Sequence, residues 1–523
     1  MFIKIFLLLL FFAVTIFIGI YFRKRASNVN DFVLGGRNVG PWLSAFSYGA
    51  TYFSAVVFVG YAGQFGWKFG SAAVWIGLGN AFIGSLMAWF ILGRRTRIMT
   101  NHIKSATMPE FFGTRYASQA LKIGASVIVF IFLIPYTASL YNGLSRLFAV
   151  AFNIPFEYCI IAMGILTAIF VVIGGYFATA VNDFIQGSIT VIGVIAVIAV
   201  AISTKGGYTE AVSALAHVEG AAKDGVWGTS PGVFASFLGP DPISLLGVLI
   251  LTSLGTWGLP QMVARFYSIK SETMITKGAI VSTIFAVLVA GGCYFLGSFG
   301  RIFANPADVA ANGFDSIIPG ILANFNSDAM MGLIIVLVFA ASISTLSSLV
   351  MSSSSTLTLD FLKGNIIKNM SEKQQLLIIR ILIVVFIAIS SVIAIFQFRS
   401  RTTFIAQLMG VSWGALAGSF LAPFLYGLYW KRTSKAAVWS CFIFSTVFIM
   451  INLFRNLKLL PADILPPVLH SPINAGAFCM LAGLIIVPLI SSFTKSPEKS
   501  TVNHCFSCYD ETVTVKIKDD LGN

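Results

Sequence analysis

The chain has 523 residues, of which 57% are hydrophobic and only 10% are charged, and its formal net charge is +14. Soluble globular domains carry about 25% charged residues, so this composition excludes a water-soluble fold. The excess of positive charge suggests nucleic acid at first. The basic residues, however, sit in short loops between apolar blocks, which is typical of membrane proteins and not of a binding stripe, so no nucleic-acid partner is expected.

The apolar blocks are about twenty residues long, the length at which a helix crosses about 30 Å of hydrocarbon. They lack the short alternating segments of a membrane β-barrel. Thirteen such blocks predict an all-α polytopic membrane protein. The first block, 2–22, has no basic start and no cleavage site of a signal peptide. Because Arg23, Lys24 and Arg25 follow it, we interpret it as a retained span with its N-terminus outside.

The predicted organisation follows from the spans and the loops between them. An odd number of spans places the C-terminus in the cytoplasm, and most basic loop residues, including Arg265 near a helix end, then fall on that side. With no targeting segment, we expect an integral protein of a bacterial inner membrane, embedded in lipid, that needs no oligomer. The predicted parts are an extra helix and loop (1–42), a first repeat (43–203), an external loop (204–241), a second repeat (242–428), extra helices (429–495) and a polar, mobile cytoplasmic tail (496–523).

Two predicted spans contain residues that interrupt helices. The second contains Gly49 and Gly60 among small polar residues, and the seventh contains Gly255, Gly258 and Pro260. Paired interruptions at matching positions of two halves are typical of inverted-repeat transporters, whose unwound carbonyls bind cations at mid-membrane. The alternative is that these glycines only allow helices to pack closely.

A run of small polar residues, 341–348, lies in the middle of an otherwise apolar span. Ser344, Ser347 and Ser348 are three to four residues apart, so they share one helix face. Their neutral oxygens suit a weakly held monovalent cation better than calcium. A packing seam, with hydroxyls bonded back to the helix, is the alternative.

Asp183 is the only acidic residue between Glu157 and Glu210, and it opens the sixth span. An ionisable residue in hydrocarbon is a functional candidate, although Asp is also a common helix N-cap. Facing the serine run, it would supply a negative charge for a cation.

Several polar residues embedded in the spans are candidates for contacting a small polar solute, because aromatic rings beside hydrogen-bonding groups suit such a ligand. For any one of them, ordinary packing is the alternative. The candidates are Ser54, Gln64, Asn80, Tyr136, Asn142, Thr252, Trp257 and Gln261. The sequence carries no phosphate-binding loop and no hydrolase or kinase motif, so no enzyme is expected. Cys505 and Cys508 lack the second half of a zinc site.

The chain resembles the sodium:solute symporter family over roughly residues 5–440. The motifs that carry the resemblance are Asp31–Arg37, Ser47–Ser54, Gly174–Tyr176 with Asn182–Gly187, Gly258–Phe266, the run 341–348 and Gly427–Arg432. The resemblance implies a LeuT-type fold of two inverted five-helix repeats, with one span before them and two after, and alternating-access import of a small solute with sodium.

The resemblance also implies ion sites. The family's core sodium site corresponds to the carbonyls of Ala50, Phe53 and Ala341 and the hydroxyls of Ser344 and Thr345. A second sodium site, present in some members, corresponds to Asp183, Ser344, Ser347 and Ser348.

Three positions depart from known branches of the family. Tyr52 stands where the sodium/proline branch has an aspartate, Thr252 where that branch has a tryptophan, and Tyr136 near an arginine of the sialic acid branch. A carboxylate or an amino acid is the expected solute. Proton coupling through Asp183, a non-transporting sensor and a channel are the alternatives.

Overall fold

A computed structural model describes residues 2–54, 56–152, 154–323, 328–400 and 405–510. Within these ranges the chain forms helices and no β-sheet. The α-helices, in chain order, are α1 (Phe2–Phe22), α2 (Val29–Leu34), α3 (Pro41–Tyr52), α4 (Ala62–Phe69), α5 (Val74–Gly79), α6 (Arg94–His102), α7 (Met108–Arg115), α8 (Gln119–Phe152), α9 (Phe156–Ser203), α10 (Tyr208–Ala216), α11 (Pro242–Leu254), α12 (Pro260–Ser268), α13 (Ile275–Ala286), α14 (Gly292–Ser298), α15 (Gly300–Phe303), α16 (Pro306–Asn312), α17 (Ile317–Ala323), α18 (Asp328–Thr356), α19 (Glu372–Ser400), α20 (Ile405–Tyr429), α21 (Lys435–Asn456), α22 (Pro472–Phe493) and α23 (Lys499–Phe506).

Eleven helical stretches of the described chain are long and apolar enough to cross a membrane. Two of them, Val56–His102 and Phe156–Ser203, contain 47 and 48 residues and are too long for one crossing. Each contains a glycine with positive φ, Gly70 (φ 60°) and Gly175 (φ 60°), a conformation that glycine adopts without strain. Because the helical backbone is interrupted at both glycines, the eleven stretches of the described chain divide into thirteen spans, the number that the sequence predicts.

Hydrogen bonds made by residues before and after Gly70 show that the chain reverses there. Arg37, just before α3, donates to the carbonyl oxygens of Thr100 and Ser105. Trp75, just after the turn, donates to the carbonyl oxygen of Phe237 in the loop that precedes α11. The second span therefore runs away from the residues that end the third span. We call the end of the bundle that carries Arg37, Arg95 and Arg97 the basic face.

Both helices that the sequence marks as interrupted are broken in the structure. The first break follows α3 at Phe53, where the backbone turns extended (φ −106°, ψ 94°), and a π-helical segment, Val56–Tyr61, continues into α4. The second break lies between α11 and α12, where Leu259 is extended. The two breaks meet, because the Tyr52 hydroxyl donates to the Thr252 carbonyl oxygen at 2.5 Å.

The outer half of the first broken helix packs backbone to backbone against α14. A Cβ on Gly66 would lie 1.8 Å from the Gly297 carbonyl oxygen, and one on Gly297 would lie 1.9 Å from that of Ala62. Only glycine permits such an approach. Arg301 extends this contact by donating to the Trp67 carbonyl oxygen and to Asp224 in the loop 204–241.

The sequence predicts a mobile C-terminal tail, but the first part of the tail forms the helix α23. Helix α23 packs on the basic face, where the Phe506 ring lies under the guanidinium of Arg115. The Tyr509 hydroxyl donates to the Arg95 carbonyl oxygen, and Cys505 and Cys508 are buried. Apolar side chains spaced along the tail explain this docking. Residues 511–523 lie outside the described residues.

We predict that Gly297→Ala destabilises the protein, because its methyl group meets backbone that cannot rotate away. Overpacking of this kind costs about 1–3 kcal/mol or more. Gly291→Ala is the matched control, since a Cβ at Gly291 meets no atom within 4 Å. Thermal unfolding of the purified variants should show a lower midpoint for Gly297→Ala alone. Equal midpoints for the two variants would contradict the packing described here.

Candidate functional site

Asp183 lies inside the helix bundle and contacts the serine run at Ser344. Its side chain is fully buried. One carboxylate oxygen accepts a hydrogen bond from the Ser344 hydroxyl at 2.6 Å, and the other accepts from Ser47. Asp183 therefore connects α9 to both α3 and α18. It lies inside the helix α9 and is not the N-cap that the sequence left as an alternative.

Arg265 occupies the space beside Asp183. It lies in the last turn of α12, at the helix end where the sequence places it, but its side chain is directed inward: it is 1% exposed and its Nη2 lies 3.4 Å from the Asp183 carboxylate. The same nitrogen donates to the hydroxyl of Thr51 at 2.6 Å and to that of Ser348. A buried charge needs a counter-charge, and Asp183 provides it.

The Thr345 hydroxyl lies among the carbonyl oxygens of the expected core sodium site. Its hydroxyl oxygen lies 3.2 Å from the Ala50 carbonyl oxygen, 3.1 Å from that of Thr51 and 3.3 Å from that of Ala341. A hydroxyl has one proton to donate, so it satisfies one of these three carbonyls at a time. Four converging neutral oxygens beside an unwound helix are a donor set that fits a sodium ion.

The residues of the core site are therefore brought together to different extents. Ala50, Ala341 and Thr345 converge, and Ser344 is turned toward Asp183. Phe53 lies at the helix break itself, with its ring 4.1 Å from that of Tyr52.

The residues of the expected second sodium site are only partly assembled. Asp183 and Ser344 are in contact, whereas Ser348 contacts Arg265 and Thr51. Ser347 donates back to the carbonyl oxygen of Ile343 in its own helix. The guanidinium of Arg265 thus supplies the positive charge beside Asp183 in this structure.

Three of the solute candidates lie around the two helix breaks. Ser54 caps the π-helical segment by accepting from the Val56 amide. The Tyr136 hydroxyl lies near Ser54 and the Trp413 indole. Asn80 accepts from the Ser253 hydroxyl at 3.2 Å. All of these side chains are buried.

The remaining candidates have other surroundings. The Thr252 carbonyl oxygen accepts a hydrogen bond from the Tyr52 hydroxyl, and the Thr252 hydroxyl donates to the Val248 carbonyl oxygen in its own helix. Trp257 donates to the Ile83 carbonyl oxygen. Gln64 lies further along α4, with a buried and unpaired side-chain oxygen.

Asn142 lies away from the breaks, whereas Gln261 lies two residues beyond the second break at Leu259. Asn142 donates to Gln397 on α19. Gln261 lines a cavity of about 40 Å³ between the Asp183 site and the basic face. Arg265, Ser348, Thr107 and Thr356 also line this cavity, which connects the buried ion pair with the loops of that face.

Sequence reasoning missed three aromatic residues around the breaks. Tyr61, Tyr294 and Trp413 are all buried, and the Trp413 ring lies 6.2 Å from that of Tyr52 and 5.9 Å from that of Tyr136 on α8. The one available signal was that each stands within a few residues of glycine in a span, which also describes many packing residues.

Among the described residues, thirteen spans, two broken helices in contact and buried polar groups at their breaks are the architecture of a secondary transporter. The model of the sodium:solute symporter family matches residues 32–443, so this chain belongs to that family. It is an integral membrane symporter of a small organic solute and not an enzyme.

Relatives of known name cover nearly the whole chain. The osmoregulated proline transporter OpuE of Bacillus subtilis (strain 168) is 26% identical over 497 residues, which are 94% of this chain and 95% of the relative. The sodium/proline symporter of Staphylococcus aureus (strain NCTC 8325 / PS 47) is 27% identical over 507 residues, 93% of this chain and 92% of the relative.

Solved structures confirm the predicted LeuT-type fold. A sodium-coupled sialic acid symporter in an outward-open state matches with a TM-score of 0.74 and 20% identity, covering 95% of this chain and 98% of that one. Mhp1, a nucleobase-cation-symport-1 family transporter, matches with a TM-score of 0.52 and 12% identity, covering 90% and 97%.

We predict that Asp183→Asn is strongly destabilising, because it leaves the Arg265 charge buried without its partner. Breaking a buried pair in this way costs about 3–5 kcal/mol. The double variant Asp183→Asn/Arg265→Gln should recover most of this loss, since no buried charge remains. Thermal unfolding of the two single variants and the double variant measures the coupling. Additive losses would show that the two side chains do not interact.

Proposed function

We propose that this chain imports a small polar organic solute, a carboxylate or an amino acid, together with sodium held between the first broken helix and α18. The carbonyls of Ala50, Phe53 and Ala341 and the hydroxyls of Ser344 and Thr345 would hold the ion. The observation that carries the proposal is the convergence of three carbonyl oxygens on the single hydroxyl of Thr345.

The position of this site explains how sodium can drive transport. The ion would join α3 to α18, which meet at Thr345. Sodium shifts the balance between outward-open and inward-open states only through its different affinities for them. A membrane potential adds about 2.3 kcal/mol per 100 mV for each net positive charge moved inward.

A second sodium ion beside Asp183 would have to replace the Arg265 guanidinium, which lies 3.4 Å from that carboxylate. One sodium ion at the core site is therefore the stoichiometry that this arrangement supports. Asp183 and Ser344 would contribute to a second site only in a conformation in which Arg265 has moved away.

The solute would bind at the helix breaks, beside the proposed sodium ion. The polar groups of Ser54, Asn80 and Tyr136 line this region, and aromatic rings surround them. The relatives named as proline transporters support an amino acid, and the family's broader range of solutes leaves a carboxylate as the other class.

The orientation that we propose places the N-terminus outside and the C-terminus in the cytoplasm of a bacterial inner membrane. The basic face supports it, because Arg37, Arg95 and Arg97 lie there with the docked α23. Positive residues favour the cytoplasmic side, and the relatives cited above are bacterial.

Proton coupling is the second candidate, because a buried carboxylate such as Asp183 can carry a proton in transporters. Replacing sodium by choline at a fixed pH separates the two. Sodium coupling predicts that uptake into proteoliposomes stops, whereas proton coupling predicts that uptake continues and follows the pH gradient.

We predict that Thr345→Ala raises the sodium concentration for half-maximal uptake at least about tenfold, since a factor of ten corresponds to about 1.4 kcal/mol. Ser344→Ala should act in the same direction. Ser342→Ala is the matched control, because its hydroxyl donates only to Val338 within the same helix. A half-maximal sodium concentration that is the same in all three variants as in the parent protein would reject the proposed ion site.

A further inference from the structure

Two groups of helices meet at the basic face. In inverted-repeat transporters, one bundle of helices rocks against the other around a fixed site. The third span, which ends in α6, belongs to the bundle of the broken helices. Its Ser85 hydroxyl lies 2.7 Å from the Ser282 hydroxyl of α13, and Arg97 donates to the carbonyl oxygen of Ile269 directly after α12. Any movement of the broken helices therefore takes α6 with it.

Helix α7 belongs to the other group, because it packs on α20. The hydroxyl of Tyr116, the residue after α7, donates to the Pro423 carbonyl oxygen at 2.7 Å. The Phe111 and Phe424 rings are 4.8 Å apart between their centroids. Helix α8 follows α7 in the chain and packs along α20 as well. The ends of α6 and α20 thus belong to different groups.

The ends of α6 and α20 are in direct contact in this conformation. Arg95 of α6 donates to the Leu428 carbonyl oxygen at 3.1 Å, and its guanidinium lies 4.2 Å from the centre of the Tyr429 ring. The Tyr429 hydroxyl donates to the Ile91 carbonyl oxygen. We call this contact the α6–α20 seam. A relative movement of the two groups at the basic face must open it.

The docked tail covers the seam and contacts its α6 side. The Tyr509 ring centre lies 4.6 Å from the Arg95 guanidinium, so Arg95 contacts both the Tyr429 and the Tyr509 rings. The Tyr509 hydroxyl donates to the Arg95 carbonyl oxygen at 3.1 Å. At the end of α6, His102 Nε2 lies 2.8 Å from the His504 carbonyl oxygen. Two separate residues of the tail thus bind α6.

The same segment reaches the other group through Phe506. The centre of this ring lies 5.0 Å from the Arg115 guanidinium of α7 and 5.6 Å from the Lys431 ammonium just beyond α20. Cys505 and Cys508 of the same segment are buried. Residues 499–509 therefore bridge the seam, with α6 on one side and α7 and the end of α20 on the other.

The composition of this segment makes its docking reversible. Val502, Cys505, Phe506 and Tyr509 follow the spacing of one helix face, whereas Asn503 is exposed. Helix α23 has eight residues, and a helix of this length is not stable in water without a surface to pack on. Docking and folding of α23 are therefore coupled, and separation of α6 from α20 removes the surface on which the helix folds.

We propose that residues 499–509 form a regulatory clamp that holds the α6–α20 seam closed and is released when the seam opens. Docking then stabilises the conformation described here and slows its conversion into the opposite one, so the clamp restrains transport whatever solute is carried. Any ion that binds one conformation better than the other is linked to the clamp, because coupling between two sites is reciprocal.

The first test compares the purified full-length chain with two variants in choline buffer, without sodium or solute. Phe506→Ala/Tyr509→Ala removes both aromatic contacts, and Asn503→Ala, at an exposed position of the same helix, is the matched control. Maleimide labelling of Cys505 and Cys508, located by mass spectrometry, measures release of the tail, because buried thiols react slowly. Amide hydrogen exchange in α6 measures opening of the seam.

We expect both rates to rise at least about tenfold in the double variant, since labelling and exchange follow the population of the opened state. The control should keep the rates of the parent. Equal labelling in the double variant and the parent would show that these contacts do not hold the tail. Faster labelling with unchanged exchange in α6 would show that the tail covers the seam without holding it. Either result overturns the proposal.

The second test uses the unaltered chain and separates a clamp from a merely structural cover. The Thr345 hydroxyl lies among the oxygens of the proposed sodium site in the conformation in which the tail is docked, so sodium bound there favours docking. We expect sodium, compared with choline, to slow the labelling of Cys505 and Cys508 at least about threefold. Thr345→Ala should lose this response. This test rests on the proposed ion site.

The outcomes distinguish the clamp from the ion site. Labelling that sodium leaves unchanged or accelerates, while sodium raises the unfolding midpoint, overturns the clamp. Absence of any sodium effect on the midpoint rejects the proposed ion site instead. Exchange in α6 then decides on the clamp, because that measurement contains no sodium.

Discussion

The ion pair between Asp183 and Arg265 fixes the centre of this protein. It joins α9 to α12, and the hydroxyls that surround it bring in α3 through Thr51 and α18 through Ser348. Removing one partner of a buried pair leaves an uncompensated charge, so these four elements must stay together unless another ion replaces one partner. Any conformational cycle of the transporter therefore has to keep this pair or exchange it.

The two helix breaks use their freed carbonyls in different ways. At the first break, the carbonyls of Ala50 and Thr51 share a single threonine proton and remain able to bind a cation. At the second break, the Thr252 carbonyl is satisfied by a tyrosine hydroxyl. The two breaks thus differ in chemistry, because carbonyl oxygens remain available at the first and the Thr252 carbonyl is paired at the second.

Sequence reasoning predicted the features that depend on local composition. The thirteen spans follow from the length of the apolar blocks, and both breaks follow from glycine and proline inside them. The contact of Asp183 with Ser344 could be predicted, because a lone acid in hydrocarbon must find polar partners. The inward direction of the Arg265 side chain could not be predicted, because its helix ends near the basic face and only the fold brings Asp183 beside it. Tyr61, Tyr294 and Trp413 likewise resemble packing residues until the fold brings them together.

The most direct test of the account is a high-resolution structure determined in sodium and again in choline. The account predicts density for an ion in sodium alone, between the carbonyl oxygens of Ala50 and Ala341 and the hydroxyl of Thr345, with the Arg265 guanidinium still beside Asp183. The same position without ion density in saturating sodium, or a sodium ion beside Asp183 in place of Arg265, would contradict it.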